Sequence, residues 1–402
     1  MLRVPAVLRQ PPFRRVWLAS LASNCGSWLQ VVAAGWIVLQ LTDSPAAVGA
    51  LALVARGPAF VLSTLGGQLA DRFDRRAVGI ATFALQGVAA AAMAVLSWSG
   101  ALTTPIIFVL TFALGVGFAL GLPAMLALIP ALVPVPQLPQ AVALNAAGIN
   151  VARLAGPAVG GVLFDMAGPT WCFGVNALSF LALIVALMSV RPRVHERSAA
   201  KVPMRHALAV AWGDPAIRRL LVGMTVFATC ASPIQELAPV VADRLDAGPR
   251  GLGFLLGAMG GGALVGTGVL AGLHRRGLGR AVTLPVATAA SAVGMAALAL
   301  SDWFWASFVA MGFCGVFWIW MFIDTNTAIQ LRAPASMVGR VLGLYQLSVV
   351  APIAIGAGGA GLLAEAWGVR AGLLVGVAGL AAYGLWSLWR VERLIDAGRL
   401  EA

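Results

Sequence analysis

Four ionisable side chains interrupt stretches that are otherwise apolar: Arg56, Arg153, Glu236 and Asp324. A charge at the centre of a helix in hydrocarbon costs about 2.5–3.5 kcal/mol, so each needs a partner or a wet cavity. Carboxylates in that setting are candidates for carrying protons, because a medium without water favours the neutral acid. Guanidinium groups there suit an anionic group on a ligand, or tune a nearby acid. Both arginines fall in the first half of the chain and both acids in the second. Glu236 and Asp324 are therefore expected to couple protons. Arg56 and Arg153 are expected on a central cavity, where opposite charges meet and part as the halves move. Static pairs, or side chains that snorkel to the interface, are the competing reading.

Uncharged neighbours extend the cavity expectation: Asn24, Trp28, Gln30, Asn145, Asn150, Gln235 and Asn326. Asn150 and Arg153 share a helix face at i, i+3. Trp28 and Trp36 suit stacking on an aromatic cargo, against the plainer use of aromatics in packing or at the membrane interface. Other chemistry is absent from the pattern. Lys201 is the one lysine and Val202 follows it, so there is no phosphate-binding Gly-Lys-Ser/Thr loop and no hydrolysis motor. Cys25, Cys172, Cys230 and Cys314 lie in apolar stretches without metal-ligand spacing and read as small hydrophobes. The histidines, His195, His206 and His274, are read as residues of polar loops. No cofactor, no metal and no enzyme activity are expected.

The elements that must position these side chains are membrane spans. Sixty per cent of the 402 residues are hydrophobic and 10% charged, against about 25% charged in soluble domains. Stretches of about 20 apolar residues, the length that crosses a bilayer, recur at roughly 14–41, 45–70, 76–98, 103–129, 139–164 and 169–190. A second set follows at roughly 217–242, 250–272, 279–301, 303–330, 338–366 and 369–390. The first is too long for a signal peptide and is expected to be retained. With the N-terminus in the cytoplasm, only Arg244, Arg250 and Arg370 of the 27 basic residues fall outside, and only Arg56 and Arg153 within spans. That positive-inside bias accounts for the net charge of +12 without a nucleic-acid partner. The reading is an all-α integral membrane protein of twelve transmembrane helices. A six-helix bundle over 1–190 and a second over 217–402 are joined by a polar cytoplasmic loop, 191–216. The halves echo each other: a shift of 200 lays Gly66, Arg75, Arg76, Pro134, Gly156, Gly161 and Gly168 on Gly266, Arg275, Arg276, Pro334, Gly356, Gly361 and Gly368.

The end of span 2 reads Gly67-Gln68-Leu69-Ala70-Asp71-Arg72-Phe73-Asp74-Arg75-Arg76. It resembles the loop signature of the major facilitator superfamily, with Asp74 standing where the pattern has glycine. The resemblance implies that Gly67, Asp71, Arg72, Arg75 and Arg76 form a conformational latch between the halves, with Asp71 near the start of span 11. Span 5 carries Gly156-Pro157-Ala158-Val159-Gly160-Gly161, similar to the family's exporter-associated motif, although Ala152 occupies an upstream glycine position. Proline there kinks the span and Gly156, Gly160 and Gly161 allow close packing. Asn24 to Gln30, Trp36 to Thr42, Ala143-Leu144-Asn145, Ala152 to Pro157 and Gln330 with Gly339-Arg340-Val341 resemble the enterobactin-exporter-like and macrolide-efflux-like branch. Many members carry an acid where this chain has Ser27, so proton coupling is not placed on span 1.

The resemblance implies proton-coupled efflux of a small amphiphilic compound, such as a drug, toxin or siderophore-like metabolite, by alternating access. The partners expected are a small-molecule substrate, protons and the lipid bilayer, with the protein a monomer in a bacterial inner membrane and both termini cytoplasmic. Uptake symport or lysolipid-type facilitation on the same fold is the alternative, and a non-transporting sensor or scaffold a distant one.

Overall fold

The computed structural model describes residues 5–190, 204–334 and 337–395. The first half holds α1 (Pro11–Thr42), α2 (Pro45–Arg72), α3 (Arg75–Trp98), α4 (Thr104–Leu128), α5 (Leu138–Ala167) and α6 (Pro169–Met188). A short helix, α7 (Met204–Gly213), follows inside the stretch read as a polar loop. The second half continues with α8 (Pro215–Ala231), α9 (Pro233–Glu236), α10 (Ala238–Arg244), α11 (Gly248–Arg275), α12 (Arg280–Leu300), α13 (Phe304–Arg332) and α14 (Val338–Ile395).

Among the described residues, eleven helical stretches are long and apolar enough to cross a membrane. The last of them, Val338–Ser387, has 50 residues. At 1.5 Å per residue it would run about 75 Å if straight, more than twice the hydrocarbon thickness. Gly368, at φ 83°, breaks it into two crossings, so the expected twelve spans are all accommodated.

Local chemistry sets these boundaries. Proline opens α1, α4, α6 and α8 at the position where a missing N–H costs nothing. Asp74 caps α3, accepting the Arg76 N–H at 2.9 Å; this explains an acid where the loop pattern has glycine. Span 7 departs from the continuous helix expected over 217–242. Pro233 has no N–H to reach the carbonyl of Thr229, and the Ser232 hydroxyl donates to that oxygen instead, at 3.2 Å. The chain then proceeds in short pieces through α9 and α10.

The chain divides into two compact units. The first comprises Met1–Asp43, Val54–Ala199 and Ala247–Gly257; the second comprises Ser44–Leu53, Ala200–Asp246 and Ala258–Ala402. The opening turns of α2 and α11 are thus each grouped apart from the rest of their helix, which a division at 191–216 does not anticipate. In the first unit α1 packs on α5 and α6, and α3 on α4 and α6. Phe13, Val16, Leu128, Leu183 and Leu187 form one of its apolar cores. In the second, α8 packs on α14, and α12 on α13 and α14.

The internal echo in the sequence recurs in geometry. Gly168 and Gly368 take nearly the same left-handed φ, 81° and 83°. A side chain on Gly115 would meet the Ala55 carbonyl at 2.4 Å, and one on Gly315 the Met259 carbonyl at 2.0 Å. These are seams of close backbone approach, in which helices associate through small residues. The tightest lies between α11 and α13, where a Cβ on Gly262 would come within 1.8 Å of the Gly312 oxygen.

Two outcomes follow for stability in detergent. Gly262→Ala forces a backbone shift and is expected to destabilise by about 1–3 kcal/mol, whereas Gly268→Ala on the same helix meets nothing within 4 Å and is expected to be neutral or mildly stabilising. Equal melting temperatures for the two would refute the seam. At the start of α8, Asp214 accepts from the N–H groups of Ala216 and Ile217 and from Arg332 Nε at 2.8 and 3.0 Å. Partial burial works to raise its pKa, but the guanidinium and the two N–H groups outweigh it and hold the carboxyl below the usual range. Its stabilisation is complete above the unfolded pKa of about 3.9 and is lost as pH falls through the lower folded value. Asp214→Ala should therefore cost about 1 kcal/mol near neutrality, with the gap to wild type closing only below about pH 4 in thermal melts.

Candidate functional site

In the first unit, α2 presents Arg56 and α5 presents Arg153 near enough for the two guanidinium charges to repel each other. Arg153 Nε is buried and has no hydrogen-bond partner among the described residues. α5 is held against α1 by small residues meeting large ones. The Trp28 side chain sits where a Cβ of Gly156 would be, and the Leu29 backbone where a Cβ of Gly160 would be. Trp17 Nε1 donates to the Leu144 carbonyl at 3.0 Å. The helix runs on through Pro157, and Gly156, Pro157, Gly160 and Gly161 are all buried. The glycine-proline motif therefore serves to seat α5 on α1, one turn from Arg153.

The uncharged cavity candidates separate into distinct environments. Gln30 is 5% exposed; it accepts from the Asn176 amide and donates to Met93 Sδ at 3.4 Å. It belongs to a buried polar knot of α1, α3 and α6. Asn24 donates to the Ser20 carbonyl of its own helix at 2.8 Å. Asn145 and Asn150 are half-buried on α5, the same helix as Arg153. In the second unit Gln330 donates to Asn326 Oδ1, and Gln235 Nε2 donates to Glu236 Oε1 at 3.2 Å.

The two acids of the second unit differ sharply. Asp324 is 0% exposed. Its Oδ1 lies 2.8 Å from His274 Nε2 and 3.8 Å from Arg280 Nε, and its Oδ2 accepts from the Thr283 hydroxyl. His274 Nδ1 is 2.8 Å from the Leu278 carbonyl, so the ring is held at both nitrogens. A buried carboxylate met by a guanidinium, an imidazole and a hydroxyl is answered within its own unit. It does not fit the picture of an acid awaiting an arginine from the other half of the chain. His274, read as a loop residue, is in the last turn of α11, and neither Thr283 nor Arg280 was singled out by sequence. The signal available was the basic run His274-Arg275-Arg276, the counterpart under the 200-residue shift of the latch loop. Glu236 instead ends α9, half-buried, in the stretch where proline breaks the span.

In the latch loop, the side chain of Asp71 lies outside the described residues. Arg72 is exposed, and a side chain on Gly67 would meet nothing within 4 Å. Arg75 Nη1 donates to the Ala127 carbonyl at 3.2 Å and Arg76 Nη2 to the Met188 carbonyl at 2.7 Å. These arginines satisfy carbonyls at the ends of α4 and α6, where a cation also meets the negative end of each helix dipole.

The chain matches the family described as transmembrane secretion effector over residues 4–397. It is 28% identical over 369 residues to the enterobactin exporter EntS of Shigella boydii serotype 18, covering 89% of this chain and 86% of that one. The enterobactin exporter of Escherichia coli O139:H28 matches to the same extent. Among solved structures, a bacterial homolog of the human lysosomal transporter Spinster, inward-facing and unoccupied, superposes with a TM-score of 0.73 at 15% identity, over 96% of this chain and 97% of the other. The nucleoside transporter NupG gives 0.73 at 11% identity, over 94% and 98%. The chain therefore belongs to the transmembrane secretion effectors of the major facilitator superfamily, a multi-pass membrane transporter of small molecules.

Proposed function

We propose that this transporter exports a small anionic amphiphile of siderophore-like or aromatic chemistry in exchange for protons. It would act as a monomer in a bacterial inner membrane with both termini cytoplasmic. The carrying observation is the arginine pair: Arg153, in a membrane-spanning helix, has a buried Nε–H that no described residue accepts, and it lies within reach of the charge of Arg56. Such a pair is stabilised by an anion, and a carboxylate or catecholate supplies one in the planar geometry a guanidinium matches. Curated relatives bearing the name of enterobactin exporter, matched over 86% of their length, support the direction and the cargo class. Asn145 and Asn150, sharing α5 with Arg153, add neutral hydrogen-bonding groups for the polar part of the cargo; Trp28 adds an aromatic face.

Glu236 is the proposed proton carrier. It is half-buried in a membrane-spanning stretch, and the proline-broken backbone around it leaves room for a change of conformation. Asp324, enclosed by His274, Thr283 and Arg280, is proposed as a positioning group that fixes the ends of α11, α12 and α13. Arg75 and Arg76, by anchoring α4 and α6, set the level of the latch loop.

The test uses inside-out vesicles carrying the full chain, with a catecholate or hydroxamate siderophore panel and a pH-sensitive dye. Gradient-driven uptake with proton release on adding cargo is expected. Arg153→Gln and Arg56→Gln should each raise the apparent KM for anionic cargo by about 10- to 100-fold, the worth of a charge-assisted hydrogen bond, with Arg153→Lys intermediate. An unchanged KM in both glutamine variants sinks the anion site. For coupling, Glu236→Gln should abolish cargo-induced proton release while leaving cargo exchange intact, and Asp324→Asn should lower the melting temperature with coupling stoichiometry preserved. The reverse pattern would move the proton to Asp324.

A further inference from the structure

A cavity of about 170 Å³ lies wholly inside the second unit, walled by α8, α12, α13 and α14. The volume is close to that of an engineered cavity that takes up benzene, so it admits one compact group. Its apolar wall is made by Leu220, Leu284, Pro285 and Met321. Set into that wall are donors with no hydrogen-bond acceptor among the described residues. Thr325 is 0% exposed and its hydroxyl has no hydrogen-bond partner among the described residues. Arg280 Nε is likewise buried without a hydrogen bond among the described residues, in an ion pair with Asp324 Oδ1 at 3.8 Å. Arg219 has no ion pair or hydrogen bond among the described residues, and its charge is felt by the Tyr383 hydroxyl beside it. By contrast, the Thr288 and Ser387 hydroxyls on the same lining donate to carbonyls of their own helices, at 3.0 and 2.8 Å. No Asp or Glu is among the described lining residues.

Two guanidinium groups, a buried hydroxyl and a phenol converging without an acidic lining residue define a receptor for an anion with several acceptor oxygens. The surroundings say which kind. Arg219 is in the first turns of α8 and Arg280 opens α12, the level at which basic side chains meet lipid head groups. Flanking positions on α12 and α14 are apolar and exposed: Val282 is 49%, Val286 42% and Leu385 71% exposed, and Trp386 on the rim 40%. The mouth thus opens on a surface suited to acyl chains. We propose that this pocket binds the phosphate of an anionic phospholipid, held by Arg219, Arg280, Thr325 and Tyr383, with the adjoining carbons against Leu284 and Met321.

The site is separate from the arginine pair of the first unit, so it stands whether or not that pair holds cargo. The full chain, purified in an uncharged detergent and stripped of lipid, is titrated with phosphatidylglycerol, phosphatidylcholine and inorganic phosphate. Thermal melting and lipid retained in native mass spectra are the readouts. Phosphatidylglycerol should raise the melting temperature saturably and stay bound one to one; phosphatidylcholine should do neither. Arg219→Gln and Thr325→Val should each weaken phosphatidylglycerol retention by about tenfold, and Leu284→Trp, which fills the apolar wall and keeps every donor, should do the same. Arg219 holds no described structural contact, so its variant is expected to fold. Protection by inorganic phosphate equal to that by phosphatidylglycerol would overturn the lipid in favour of a soluble anion. Phosphatidylglycerol retention unchanged in Arg219→Gln and Leu284→Trp would overturn the pocket itself, leaving only lipid bound around the helices.

Discussion

Water is missing from the hydrocarbon core of a bilayer, and every polar group placed there must find its partner inside the protein. Much of the detail in this chain is an answer to that constraint. Ser232 supplies the hydrogen that Pro233 withholds from Thr229. Trp320 Nε1 donates to the carbonyl of Gly266 at 2.8 Å, at a point where the absence of a side chain lets α13 approach α11. Gln30, Asn176 and Ser179 close on one another in the core of the first unit. Helix ends, which carry carbonyls without partners, are met by Arg75 and Arg76.

The same constraint separates the buried charges by use. Asp324 is as deeply buried as a side chain can be, yet both its oxygens are engaged and a guanidinium stands close by. These contacts tie α13 to the last turn of α11 and the first turn of α12. Arg153 is in the opposite condition. Its neighbour in charge is another arginine and one of its N–H groups has no acceptor. A guanidinium left in that condition among membrane-spanning helices is what the proposed anion site is built on.

What was legible in the sequence follows from the range over which each signal is summed. Hydropathy adds up over about 20 residues, so the spans, their number and the family of the fold were readable, and the glycine and arginine echoes at a spacing of 200 marked the repeat. Individual partners were not. His274 and Asp324 are 50 positions apart, and Gln30 and Asn176 are 146 apart; nothing local distinguishes a glutamine that closes a core knot from one that lines a cavity. The break at α9 was written in Pro233 and Pro239, but a window that averages hydropathy passes over two prolines in an apolar run. Glu236, counted as a residue within a continuous span, owes its setting to that break.

Basic residues also carry a message that charge counting alone misreads. Three arginines fall where the expected positive-inside pattern has few, and each has a local partner. Arg244 donates to the carbonyls of Leu298, Ala299 and Ser301 at 2.8–3.1 Å, closing the end of α12. Arg370 pairs with Asp302, whose exposed carboxyl the guanidinium holds below its usual pKa. Arg250 lies 5.7 Å from the ring centre of Phe254, one turn along α11. A cation already committed to carbonyls, a carboxylate or a ring is a weaker determinant of orientation than a free one, since its charge is shared with the protein before the membrane surface can act on it. The minority-side arginines are then exceptions with structural causes. Arg244 and Arg370 tie off helix ends, as Arg75 and Arg76 do for α4 and α6.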